Sequence, residues 1–269
     1  LYNLNFKIAF YSNFDQLNDK TDILLIDAYG EASKFYDISK CVFLGKSLIK
    51  SLINDSGQNP IEPSRLGCKI FHGAYIGGEP QIINFEDVSS SVEIGDGTVI
   101  REYATVHRSG FKGGVTRVGK NCLLMAYSHL GHDCELGDQV VIVNGTGLSG
   151  HVIVENQAFI SGLVGIHQFV RIGRNSMIGG MAGVNQDVLP FSLVEGTPAR
   201  LLSVNAVGLK RANFKPNVRA AIKKAFKIIS QPDLNTRQSL EKISSEIERH
   251  EEINYLLDFI KNSKRGVTK

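Results

Sequence analysis

The sequence predicts a mainly β protein whose body is a parallel β-helix, carrying a small N-terminal α/β cap and a C-terminal α-helical domain. Three observations predict it. Aliphatic residues recur every sixth position through the middle of the chain, the segment before Gly67 lacks that period, and the last stretch switches to helical spacing. The domains are read as residues 1–66, 67–200 and 201–269.

Stepping by six from Val118 gives Leu124, Leu130, Leu136, Ile142, Leu148, Val154, Ile160, Ile166, Ile172, Ile178 and Val184, all aliphatic. Four places after each stands a residue of modest size: Cys122, Ser128, Cys134, Val140, Thr146, Val152, Ala158, Val164, Val170, Ser176, Ala182 and Val188. A period of six fits neither the 3.6 of a helix nor the 2 of a simple strand. It fits a coil of flat faces, one hexad to a face and three to a turn, whose turns stack ~4.8 Å apart. The aliphatic residue fills the interior and the small one fits a tight corner. The phase runs back through Val106, Ile100 and Ile94 toward Ile76 and Ile70, broken near Lys112 by the loop Ser109-Gly110-Phe111-Lys112-Gly113-Gly114. Cys122 and Cys134 occupy the small interior position, so packing explains them better than nucleophilic chemistry.

In the cap, Phe6–Tyr11, Ile23–Ile26 and Cys41–Leu44 read as short strands and Ser47–Ile53 as a helix. Gly45-Lys46-Ser47 resembles the end of a phosphate-binding loop, but Lys40 stands where the leading Gly belongs, which argues against nucleotide binding there. The tail reads as helical from about Leu201. Pro216 suits a first helical turn before the apolar stripe Val218, Ile222, Ala225, Phe226 and Ile229. Leu240, Ile243 and Ile247, then Ile253, Leu256, Leu257 and Ile260, carry the pattern into second and third helices.

Composition narrows the function. Thirty Lys and Arg against 27 Asp and Glu leave +3, too near neutral for a dedicated nucleic-acid binder. Forty-two percent hydrophobic residues argue against disorder, and the chain has no apolar run of the length that predicts a membrane span. With no basic-then-apolar leader and four scattered cysteines, the expectation is a cytoplasmic protein without a disulfide framework or zinc finger. Charge is nonetheless segregated, with 14 basic and 7 acidic residues from Lys210 onward. Arg219, Lys223 and Lys227 fall at i, i+4 and i+8, a solvated helix face or a dock for an acidic partner.

The chemistry is concentrated in histidines. Four of seven, His129, His132, His151 and His167, lie inside the repeat, where packing calls for none. His132 precedes Asp133, a carboxylate able to hold an imidazole in the tautomer a general base needs. A zinc site is the rival reading, but no cysteine or acidic triad completes a ligand set, so no metal is expected. His107, outside the cluster, reads as structural.

Asn121-Cys122-Leu123-Leu124-Met125, His129-Leu130-Gly131-His132-Asp133-Cys134, Gly150-His151-Val152, His167-Gln168-Phe169, Ile178-Gly179-Gly180, Val204-Asn205 and Gly208-Leu209-Lys210-Arg211 follow one another in an order that resembles the UDP-N-acetylglucosamine O-acyltransferases of lipid A biosynthesis. The resemblance runs from about residue 69 to the C-terminus. It implies a left-handed coil, a homotrimer and transfer of a 3-hydroxyacyl group from acyl carrier protein to a UDP-amino-sugar. It implies His132 as base, Asp133 as its orienting partner and the Gly150 N–H as oxyanion donor. His129, His151, His167 and Gln168 would line the substrate cleft, Asn205 and Arg211 would reach the nucleotide, and Gly180 would leave room for a longer acyl chain. Lys210, Arg211, Arg219, Lys223 and Lys227 would dock the carrier. The resemblance implies no cofactor, the phosphopantetheine thioester or acyl-CoA being a co-substrate. Three departures stand out: the segment before Gly67 lacks the hexads with which this family begins, Ile82 and Asn84 stand where the family offers an acidic residue and a lysine to the substrate, and Ala212 replaces a second arginine after Arg211. An N-acyltransferase using acyl-CoA is the nearest alternative, compatible with Glu195-Gly196-Thr197-Pro198-Ala199-Arg200, and a non-catalytic scaffold is the next.

Overall fold

The computed structural model describes residues 74–269 and, within 1–73, the backbone of four short strands. The chain divides into two compact units, Leu1–Gly73 and Ala74–Lys269. In the first, Ile8–Phe10 pairs in parallel with Ile23–Leu25, and Cys41–Phe43 with Lys69–Phe71. Three of these are the strands expected of the cap. The helix read over Ser47–Ile53 and the Gly45-Lys46-Ser47 turn lie outside the described residues. Ile70 pairs with Val42 in this unit rather than joining the coil, so the hexad phase enters the coil at Ile76.

The second unit is built on a left-handed parallel β-helix of three sheets. Every third hexad returns to the same sheet: Leu124, Ile142, Ile160 and Ile178 stack in one, Leu130, Leu148, Ile166 and Val184 in the next, Leu136, Val154 and Ile172 in the third. Both interior series are buried along their whole length, from Val118 to Val184 and from Cys122 to Val188. Each large aliphatic side chain so removed from water stabilises by roughly 1.5–3 kcal/mol. That offsets corners that place Asn121, Tyr127, Asp133, Gln139, His151 and their successors at positive φ, a conformation costing ~1–2 kcal/mol per non-glycine residue. Burial pushes the Cys134 thiol up to about 12 and raises that of Cys122, as packing residues require.

Two excursions break the stacking. The loop at 109–114 lengthens one turn of the coil, so that Glu93 pairs with Arg117, and the segment 79–90 lengthens another further, Tyr75 pairing with Thr105. Both emerge near the histidines. Arg108 fastens the second by donating to the Val88 carbonyl, to Ser90 Oγ at 3.0 Å and to Asp87 at 2.5 Å.

After the last coil, Ser192–Glu195 pairs antiparallel with Arg200–Val204, which corrects the reading of the tail as helical from Leu201. The helices are α1 (Ala206–Arg211), α2 (Pro216–Ile229), α3 (Thr236–Glu246) and α4 (Glu251–Lys261). Pro216 opens α2 as its first residue, and Asn235 with Gln238 forms a capping box on α3. The expected stripe of α2 packs with Ile243, Ile253, Leu256 and Ile260 onto Leu189 and Phe191 at the end of the coil. Among the described residues no helix is long and apolar enough to cross a membrane.

Candidate active site

Because the coils are in register, residues one turn apart line up along each outer face. The first carries Thr105, His129, Gly147, Gly165 and Gly183 on successive rungs. A Cβ on Gly147 or Gly165 would meet nothing within 4 Å, so the fold itself does not require glycine there. What glycine does is leave a groove. Its volume is about 890 Å³, and its walls include His129, His132, Gly150, His167, Gln168, Asn185, Thr197 and Pro198. The rungs from His129 to Gly183 span about 14 Å at ~4.8 Å per rung, enough for an extended chain.

His132 and Asp133 meet at the corner that leaves this face, where Asp133 takes positive φ. His132 Nδ1 lies 2.7 Å from Asp133 Oδ2. A neutral imidazole that donates Nδ1–H to a carboxylate keeps a lone pair on Nε2. That atom lies directly over Gly150, where a Cβ would come within 2.5 Å of it. Any larger residue at 150 would displace the base. Among the described residues the Gly150 N–H has no acceptor, while its carbonyl takes Phe169 N–H at 3.2 Å. A free N–H thus stands beside a free imidazole nitrogen on the groove wall.

The carboxylate is held from several sides. Gly110 N–H donates to Oδ2 at 3.0 Å and the Ser109 hydroxyl to Oδ1, while the Asp133 N–H donates to Thr116 Oγ1 at 2.8 Å. Burial raises the Asp133 pKa, but the bonds from Ser109, His132 and Gly110 and the nearby His151 outweigh it and hold the carboxyl below its ordinary value. His151 stacks on Phe169 (4.6 Å, 7°), stands edge-on to His132 (5.0 Å, 88°) and places Nε2 3.9 Å from Asp133 Oδ2. Burial, which outweighs the attraction of Asp133, lowers its pKa, with His132 adding to the effect. His129 bonds Thr105 Oγ1 at 2.7 Å through Nδ1, and burial, helped by His107, lowers its pKa too. These rings favour the neutral state, in which an imidazole binds polar groups without added charge.

The structure therefore gathers His129, His132, Gly150, His167 and Gln168 on one groove wall, with Asp133 and His151 behind it. Gly180 lies at the opposite corner of that face, where a Cβ would meet only the Gly162 carbonyl at 3.5 Å. Asn205 caps α1, accepting Gly208 N–H at 3.0 Å and donating to the Asn175 carbonyl at 2.9 Å. Lys210 and Arg211 are exposed at the end of α1, and Lys223 and Lys227 are exposed on α2. Arg219 departs from the expected ridge, being half-buried with an Nε that has no partner. Three residues escaped the sequence reading: Ser109, Gly110 and Gln81. The first two hold Asp133, and Gln81 reaches the groove from the 79–90 excursion. The break in the hexads was their one signal.

His132, Asp133 and His151 also bring three ligand-type atoms within 4.8 Å of one another. The shared oxygen, Asp133 Oδ2, already accepts from His132 and Gly110, which makes the cluster a hydrogen-bonded dyad with a neighbouring ring.

A family model described as UDP N-acetylglucosamine O-acyltransferase, domain 2, matches residues 187–268, and one for the bacterial transferase hexapeptide matches residues 116–150. An acyl-[acyl-carrier-protein]–UDP-N-acetylglucosamine O-acyltransferase of Gloeothece citriformis is 44% identical over 198 residues, covering 74% of this chain and 71% of the relative. The same-named protein of Synechocystis is 45% identical over 66% of this chain and 64% of its own. Among solved structures, the UDP-N-acetylglucosamine acyltransferase of Bacteroides fragilis superposes with a TM-score of 0.71 at 38% identity, over 75% of this chain and 79% of that one. The Campylobacter jejuni enzyme gives 0.68 at 34%, over 74% and 77%. Hexad core, groove and matched sequence agree: this chain belongs to the UDP-N-acetylglucosamine O-acyltransferase family.

Proposed function

We propose that the protein moves an acyl group, of the 3-hydroxyacyl type, from an acyl carrier protein thioester to a hydroxyl of a UDP-amino-sugar such as UDP-N-acetylglucosamine. The observation that carries this is the His132–Asp133 pair with the unpaired Gly150 N–H beside it, on the wall of a groove floored by glycine. His132 Nε2 takes the hydroxyl proton as that oxygen bonds the thioester carbon, and the Gly150 N–H stabilises the oxyanion that forms. The C–S bond then breaks and the imidazolium returns the proton to the leaving thiolate. Asp133 orients the ring and remains ionised. No covalent enzyme intermediate, metal or further cofactor is needed. His129, His151, His167 and Gln168 bind substrate, His129 and His151 as neutral groups; Asn205 and Arg211 serve the nucleotide, and Gly180 leaves space for the acyl chain.

Two surfaces support the partners. The face Val99, Leu123, Val141, Phe159, Met177 and Leu193 is an apolar ladder with Val99 and Phe159 exposed, and Tyr127, Leu163 and Met181 lie exposed along its edge. A continuous uncovered apolar face of this kind supports a homotrimer in which a neighbouring subunit closes the groove. Lys210, Arg211, Lys223 and Lys227, with Arg219 between, offer an acidic carrier a basic approach, in keeping with work in the cytoplasm. The test offers UDP-N-acetylglucosamine and UDP-amino-sugars with acyl carrier protein and CoA donors of several chain lengths, products being weighed by mass spectrometry. O-acylated UDP-N-acetylglucosamine, lost by about 10²–10⁴-fold in His132→Ala, is the expected result. No transfer to any UDP-sugar would sink the proposal, and transfer only from CoA to an amine would replace it.

A further inference from the structure

The loop that breaks the repeat at 109–114 supplies the dyad with a third member. Ser109 is 0% exposed. Its hydroxyl donates to Asp133 Oδ1 and accepts the Phe111 N–H at 3.1 Å, and its carbonyl accepts the Ser90 hydroxyl at 2.6 Å. Gly114 closes over it so tightly that a Cβ there would overlap Ser109 Oγ. The division of labour on the carboxylate follows. Oδ2 receives His132 and Gly110, and Oδ1 receives Ser109. With both oxygens bonded, the carboxylate cannot turn about its Cβ–Cγ axis, and the imidazole bonded to it keeps one plane. Ser109 is not part of the groove wall, so whatever it does for the chemistry it does through Asp133.

We propose that Ser109 is a positioning residue for the acyl transfer: its hydroxyl fixes the plane of the Asp133 carboxylate and so keeps His132 Nε2 aimed over Gly150. The inference rests on the acyl-transfer reading above and adds to it a residue that no periodicity marks. The excursion at 79–90 takes part, since Ser90 bonds the Ser109 carbonyl and Arg108 bonds Ser90. The dyad is thereby braced from outside the repeat.

The test compares Ser109→Ala and Ser109→Cys in the parent enzyme and in an Asp133→Asn background, measuring kcat, both KM values and melting temperature. Losing a hydrogen bond to a charged group should lower kcat about tenfold in Ser109→Ala, with both KM values within twofold of the parent. The cysteine, a weaker donor of similar shape, should recover part of the loss. In Asp133→Asn, where no carboxylate remains to be oriented, adding Ser109→Ala should cost less than twofold more. An equal loss in both backgrounds, a loss tracking melting temperature in the alanine and cysteine variants alike, or an unchanged kcat would overturn the positioning role. A parent enzyme that transfers no acyl group would instead bring down the underlying reading, and this one with it.

Discussion

The glycine-floored face and the apolar face are made by the same backbone and differ only in which side chains point outward. On one, histidine at the His129 rung gives way to bare backbone at Gly147, Gly165 and Gly183. On the other, every rung from Val99 to Leu193 is apolar. The interior is alike behind both, so stability is written in the inward positions and function in the outward ones. The third face, with Glu93 bonded to Arg117 at 3.1 Å and Glu135, Ile153 and Arg171 in line, is a mixed charged surface of ordinary kind.

This contrast can be broken from either side. Leu148→Ala, an inward change behind the groove, should cost ~2–5 kcal/mol of stability in thermal or denaturant unfolding. Its neighbour Gly165→Leu points outward and should leave melting within a few degrees while reducing acyl transfer tenfold or more, as its side chain fills the groove. Equal effects of the two on melting would erase the distinction. Phe159→Asp, on the face away from His132, should dissociate the proposed homotrimer in sedimentation velocity and lower activity severalfold. A monomeric parent, or a variant that stays assembled, would remove the case for a closing subunit.

The smallest expected effect concerns pH. His107, His129 and His151 all have folded pKa values below 6.5, burial being the leading cause in each. The unfolded chain therefore takes up protons that the fold refuses, and stability should fall as pH drops from about 6.5 toward the folded values. Asp133 works lower down. Its depressed pKa favours the fold above the usual carboxylate value, a contribution lost as pH falls through the folded one. Replacing His129 and His151 by Gln should flatten the first slope by a fraction of a kcal/mol per pH unit, read from denaturant midpoints between pH 5 and 7.

Much of this was legible in residue order. Twelve aliphatic positions and twelve small ones all proved buried, because a stacked coil must repeat its interior at every rung. The histidine cluster was legible for the opposite reason, since packing has no use for it. Leu201-Leu202 misled because a short apolar run fits helix and strand alike, and pairing with Ser192–Glu195 decides it. Ser109, Gly110 and Gln81 were hidden because excursions carry no period, and only the fold shows where their tips land.

Beyond the two excursions, from Val118 onward, the coil advances three hexads to a turn. Since each coil touches only those above and below, inserting one complete coil below Gly165 should extend the trough by a single ~4.8 Å increment, disturbing only the contacts across the insertion point, which the new coil takes over. Substrate reach is then a matter of counting turns, which makes this architecture adjustable by duplication rather than by redesign.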